Sequence, residues 1–175
     1  MRLGDDFYRM DVLQVAPRLL GTVLCRATSS GVLRGRITEV EAYAGEDDSA
    51  CHAHVGRTKR TDTLYLAGGH AYVYLCYGIH HLFNVVTGPK DEPQAVLIRG
   101  LDTVTGPGRL TKALGITVAD NRLDLRTSQT LWIEDDGCRP GSIQTTPRIG
   151  ISYATPADQA LPWRYVWIPG QISTS

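Results

Sequence analysis

Apolar and polar positions alternate with period two along much of this chain, and helical spacing is confined to short stretches. Residues 22–27 and 32–43, separated by Ser29-Ser30-Gly31, predict a β-hairpin. Residues 71–77, a turn at Gly78-Ile79-His80-His81, and residues 82–87 predict a second one. Residues 95–101 form a further strand pattern, and 129–134, 148–153 and 164–168 read as later strands. Asp11 is placed to cap a helix through about Leu20 that Gly21 stops, with Pro17 an awkward interior residue. Gly106-Pro107-Gly108 precedes a second short helix, 109–114. Residues 44–69 are polar and irregular, too long for a plain connector. Many strands, few helices and no βαβ rhythm imply an α+β class. The expected architecture is one domain over residues 1–175, with a curved antiparallel β-sheet, a protruding β-hairpin and short peripheral helices.

Composition narrows the class without naming a chemistry. No apolar run approaches the ~20 residues that span a bilayer, and the start Met1-Arg2-Leu3-Gly4-Asp5-Asp6 has no signal-peptide pattern. Cys25, Cys51, Cys76 and Cys138 are widely spaced, which argues against a zinc ribbon or a disulfide framework. A cytoplasmic protein with reduced cysteines is the expectation. The 18 basic and 18 acidic residues cancel, which disfavours a nucleic-acid binder by net charge alone. Local clusters soften that objection: Arg57-Thr58-Lys59-Arg60 is basic, and Arg99, Arg109 and Lys112 lie near turn-rich sequence.

The candidate chemistry sits on two strands. In Gly35-Arg36-Ile37-Thr38-Glu39-Val40-Glu41-Ala42-Tyr43, strand periodicity puts Glu39, Glu41 and Tyr43 on one face and Thr38, Val40 and Ala42 on the other. A solvated strand face is the plain alternative. In Tyr72-Val73-Tyr74-Leu75-Cys76-Tyr77-Gly78, Tyr72 and Tyr74 share a face, while Tyr77 stands at the mouth of the turn. An aromatic there can act as a wedge in stacked bases, although tyrosines also favour strands for packing alone. Asn84, on the return strand, offers both a donor and an acceptor. His52 and His54 could be paired with Glu39 or Glu41 as metal ligands, but the spacing matches no metal motif. No phosphate loop, dinucleotide fingerprint or nucleophile elbow is present.

In combination these segments resemble the alkyladenine (3-methyladenine) DNA glycosylase family. The likeness runs in order through Leu20-Gly21, the Glu39-Val40-Glu41-Ala42-Tyr43 strand, His52, the Gly69-to-Gly78 segment and Asn84. It continues through Val96-Leu97-Ile98-Arg99, Gly106-Pro107-Gly108-Arg109-Leu110 and Ala113-Leu114-Gly115-Ile116, covering the chain from about Asp11 to Arg148. Leu66-Ala67-Gly68-Gly69 departs from the family's Gly-Pro-Pro-Gly-like stretch, and the segment from Tyr165 to Gly170 from its C-terminal pattern.

The resemblance implies Glu41 as general base for water, and Tyr43, His52 and Tyr74 enclosing an extruded base. It implies Tyr77 in the space the nucleotide leaves, and Asn84 at the pocket floor rejecting guanine. Arg99 would stand near the flipped nucleotide, with Arg57, Arg60 and Arg109 as further DNA contacts. The implied activity is monofunctional excision of alkylated or deaminated purines (3-methyladenine, 7-methylguanine, hypoxanthine, ethenoadenine) in base excision repair, leaving an abasic site. The implied partner is double-stranded DNA carrying a damaged purine, bound by a monomer with no metal, cofactor or membrane. A nucleoside or RNA-directed N-glycosidase would have no use for the Tyr77 wedge, and a non-catalytic nucleic-acid-binding module none for a carboxylate among phosphates.

Overall fold

The computed structural model describes residues 1–168; the end of the expected domain, with Pro169 and Gly170 of the departing C-terminal segment, lies outside them. Strands β1 (Val23–Thr28), β2 (Gly31–Tyr43), β3 (Ala71–Cys76), β4 (His80–Thr87), β5 (Gln94–Leu101), β6 (Val104–Thr105), β7 (Leu131–Glu134), β8 (Gln144–Thr146) and β9 (Arg164–Val166) join one curled antiparallel sheet. Its main order is β3-β4-β5-β2-β1-β7, with β9 pairing both β2 and β8. The helices are short: α1 (Asp5–Tyr8), α2 (Val12–Leu19), α3 (Pro107–Leu114) and α4 (Pro156–Gln159). The expected α+β class with its curved sheet, hairpin and small helices is what the chain adopts.

Strand β2 organises the sheet. Its first half pairs with β1 (Arg36 opposite Val23), and its second half lies between β5 and β9 (Glu41 opposite both Leu97 and Arg164). The register slips between Ile37 and Val40, which marks a β-bulge. The irregularity there exchanges the two faces on both strands: Ile37 and then Val40 and Ala42 all enter the core, although their spacing does not follow strict alternation. Glu39, Glu41 and Tyr43 are thereby turned to the opposite side together.

The core under the sheet is filled by α2 and α3. Asp11 caps α2, its carboxylate accepting from the Leu13 N–H at 2.9 Å. The helix passes through Pro17, whose missing donor falls on the partly exposed side, while Val12, Val15, Ala16 and Leu19 are buried. Gly115 ends α3 at φ 61°, a left-handed residue that suits glycine. Thr111 Oγ1 of α3 donates to the His81 carbonyl at 2.7 Å, so this helix braces the stem of the β3–β4 hairpin.

Three sequence expectations need correction. Residues 148–153 are a bent loop rather than a strand, because Gly150 sits at φ 73° and breaks the extended run. The predicted turn at 78–81 is tighter: β4 already starts at His80, and the Ile79 N–H bonds the Cys76 carbonyl at 3.1 Å. Strand β7 starts at Leu131 rather than at 129, since Ser128 Oγ engages the Thr130 and Leu131 N–H groups in a turn.

Candidate active site

The far end of β2 sets Glu41 just behind the wall of a cleft of about 990 Å³. Its side chain is fully buried, yet its contacts Tyr43, Arg99 and Ile149 all line the cleft. Oε1 accepts from the Tyr43 hydroxyl at 2.9 Å, and Oε2 accepts from the Ile149 N–H at 2.6 Å. Arg99, on β5, places Nη1 3.5 Å from Glu41 Oε1 and Nε 3.6 Å from Glu39 Oε1. Glu39 is meanwhile held by Arg164 of β9, through Nη2 and through Nε at 2.9 Å.

Burial pushes the Glu41 carboxyl above the usual carboxylate range, and the neighbouring Glu39 pushes the same way. Arg99, the Ile149 N–H and the Tyr43 hydroxyl act in the opposite sense without cancelling the effect of burial. The result is a carboxylate whose proton affinity is raised above the ordinary value, which suits a general base. Burial and the adjoining Glu41 also push the Tyr43 phenol upward, so it stays a donor.

Next to Glu41 the cleft narrows into a small inner chamber of about 40 Å³. Tyr43, His52, Tyr74 and Tyr153 line both spaces and so form the throat between them. His52 packs against Tyr74 with ring centres 4.5 Å apart, and its Nδ1 lies 2.8 Å from the Tyr72 hydroxyl. Burial, helped by Arg60, depresses His52 to about 4, so the imidazole is neutral at pH 7. Tyr72, pushed up to about 12 by burial, keeps its proton. Asn84 lies on the chamber wall, and its amide donates to the Tyr72 carbonyl at 3.1 Å.

The hairpin tip borders the cleft. Tyr77 is 91% exposed and sits at φ 52°, followed by Gly78 at φ 66°. Two successive positive φ values belong to the primed turns that suit hairpins, but a tyrosine occupies that region at a cost of roughly 1–3 kcal/mol. Nothing in the packing of the fold requires a bulky ring there.

The predicted cations divide. Arg60 lies over Tyr74 with its guanidinium carbon 5.5 Å from the ring centre, and Arg60, Arg99 and Arg109 all line the cleft. Lys112 joins them from α3. Arg57 is not brought to the cleft; Asp62 (2.7 Å) and Asp91 (3.1 Å) hold it. His54 is also elsewhere, bonded to the Glu46 carbonyl at 2.7 Å.

Sequence reasoning missed three contributors. Arg148 is fully buried behind Tyr43, stacked between that ring (4.8 Å) and Trp163 (5.0 Å). It pairs with Asp48 at 2.6 and 2.9 Å and donates to the Ala42 carbonyl at 3.0 Å. Ile149 supplies the N–H to Glu41, and Tyr153 completes the throat. All three belong to the segment misread as a strand, where the only hint was an arginine opening an apparently apolar alternation.

The methylpurine-DNA glycosylase family profile matches residues 6–106 and 101–171. A protein of Sodalis glossinidius, named as a candidate 3-methyladenine DNA glycosylase, is 46% identical over 87% of this chain and 91% of its own length. Relatives with the same name in Psychrobacter cryohalolentis (43% identical; 87% of this chain, 85% of the relative) and Borrelia garinii (41%; 91% and 92%) are similarly close. Resemblance by motif, match by profile and identity over nearly the whole length converge: the chain belongs to the methylpurine-DNA glycosylase family.

Proposed function

We propose that this protein is a monofunctional DNA N-glycosylase that draws an alkylated or deaminated purine out of the duplex and hydrolyses its bond to deoxyribose. The observation that carries the reading is the buried Glu41 carboxyl, raised in proton affinity and joined through Tyr43 and Arg99 to an aromatic-walled throat. Tyr43 stands on one side of the purine, and His52 with Tyr74 on the other. A cationic alkylated purine gains further from such rings, because their faces are electron-rich. Asn84 contacts the base edge from the chamber wall and rejects guanine.

In the chemical step the C1′–N bond breaks and its electron pair leaves with the purine. A water oxygen bonds C1′ while Glu41 accepts the water's proton, giving an abasic site. Positive charge building on the sugar is stabilised by the same carboxylate. Tyr77 enters the stack where the nucleotide was, which offsets part of the unstacking cost of a few kcal/mol. Arg60, Arg99, Arg109 and Lys112 meet the phosphates along the cleft, which provides local positive charge that the neutral total does not reveal.

The test is a panel of duplexes, each carrying one 3-methyladenine, 7-methylguanine, hypoxanthine or ethenoadenine. Free base should appear from at least one of them, with strand breaks only after alkali. Release from none contradicts the reading. Breaks without alkali, together with borohydride trapping of the enzyme on DNA, would instead assign an amine nucleophile such as Lys112.

A further inference from the structure

Tyr153 has no role in the chemistry above, yet it shares with Tyr43, His52 and Tyr74 the boundary between cleft and inner chamber. Its hydroxyl donates to the Ala50 carbonyl at 2.7 Å, and Ala50 itself lines the chamber. The ring therefore crosses from the 148–155 loop to the opposite wall. The backbone on either side is fastened. Ala154 N–H bonds the Ile151 carbonyl at 2.9 Å, Thr155 N–H bonds Ser49 Oγ at 2.9 Å, and Ile149 is tied to Glu41. The ring cannot swing out of the throat without giving up its hydrogen bond to the Ala50 carbonyl.

Space decides what such a ring does. About 40 Å³ admits one to a few waters, since one water needs ~10–15 Å³. A bicyclic purine is far larger, so most of it must lie in the throat, with an edge against Tyr153. A substituent that widens that edge meets a pinned phenol, whereas a methyl or oxo group elsewhere on the purine does not.

We propose that Tyr153 is a specificity-determining residue that limits the width of the purine entering the throat, and so disfavours bases enlarged by a fused ring. This rests on the glycosylase reading. The ring is 65% exposed, so its removal opens no cavity in the core. The experiment measures single-turnover release of ethenoadenine and of 7-methylguanine from otherwise identical duplexes by the unaltered protein and Tyr153→Ala, with thermal melting as a check on folding. The ethenoadenine-to-7-methylguanine rate ratio should rise about threefold or more, because hydrophobic pockets discriminate one extra carbon group by ~10-fold or more. A smaller rise, or none, overturns the proposal. Should Tyr153→Ala fail to melt cooperatively, Tyr153→Leu carries the same comparison. If the unaltered protein releases neither these bases nor any other of the panel, the glycosylase reading itself falls; if it is active and the ratio stays put, only the role of Tyr153 does.

Discussion

Two arginines stand near Glu41, Arg148 buried and Arg99 partly exposed, and they are held in different ways. Arg148 is gripped by both Asp48 oxygens at 2.6 and 2.9 Å and by the Ala42 carbonyl, with aromatic rings on either side. Arg99 approaches two carboxylates at 3.5 and 3.6 Å, beyond good hydrogen-bond distance. Each leaves its Nε without a hydrogen-bond partner among the described residues, so the difference lies in the terminal nitrogens. Arg148 builds the wall behind Tyr43 and, through the next residue, the N–H that seats Glu41. Arg99 contributes charge more than geometry. One site thus needs two cations because fixing a carboxylate and setting its proton affinity are separate tasks.

Breaking the tighter pair should have the larger effect on stability. Arg148→Met leaves Asp48 buried and uncompensated, and should destabilise the fold by about 3–5 kcal/mol in urea unfolding. Asp48→Asn added to it should recover part of that loss, since the two changes share one interaction. A loss below about 1 kcal/mol would reduce Arg148 to an ordinary surface-like pair. Arg99→Met should instead act on turnover, lowering base release by roughly 10–100-fold, in line with a lost charge beside a general base. Arg99 holds the Glu41 carboxyl down, so removing it moves the acid limb of the pH–rate profile to higher pH. An unmoved limb would dissociate Arg99 from Glu41.

The smallest effect concerns stability at Glu41 itself. Its folded-state proton affinity exceeds its unfolded one, so the native state binds more protons and loses stability as pH rises above the ordinary value of 4.5. Glu41→Gln removes that penalty and should stabilise the protein at pH 7.5 by on the order of 1 kcal/mol. The gain should fade as pH falls and vanish below 4.5, where the carboxyl is neutral in both states. A gain independent of pH would mean that burial of the charge is not its source. His52, depressed to about 4, works in the opposite direction: its stabilisation is full above pH 6.5 and declines as pH falls toward 4.

Much of this arrangement was legible in residue patterns, because strands advertise themselves locally. Glu41 and Tyr43 belong to one face of one strand, and the Tyr72-to-Gly78 hairpin is continuous in sequence. The β2 bulge was not foreseen, since it follows from pairing with a strand some 60 positions away (Ile37 with Leu101), and no local pattern records it. The 148–153 loop failed for the converse reason. Ile149, Ile151 and Tyr153 alternate like a strand, but they do so to face the cleft and the carboxylate rather than a neighbouring strand. The Arg57 cluster looked like one basic patch, and only the fold shows Asp62 and Asp91 taking one member while Arg60 remains in the cleft. Ion pairs formed across the chain, such as Glu39 with Arg164, carry no local signal at all.

The most direct measurement is single-turnover base release by Glu41→Gln at pH 7.5, alongside its affinity for the same damaged duplex. The isosteric amide keeps an oxygen for Tyr43 and leaves the Tyr77 tip, Arg60, Arg109 and Lys112 untouched, so affinity should stay within a few-fold of the unaltered protein. Release should fall by about 10²–10⁴-fold. Release that persists within about tenfold of normal, with affinity intact, would contradict the assignment of the buried carboxylate as the group that activates water.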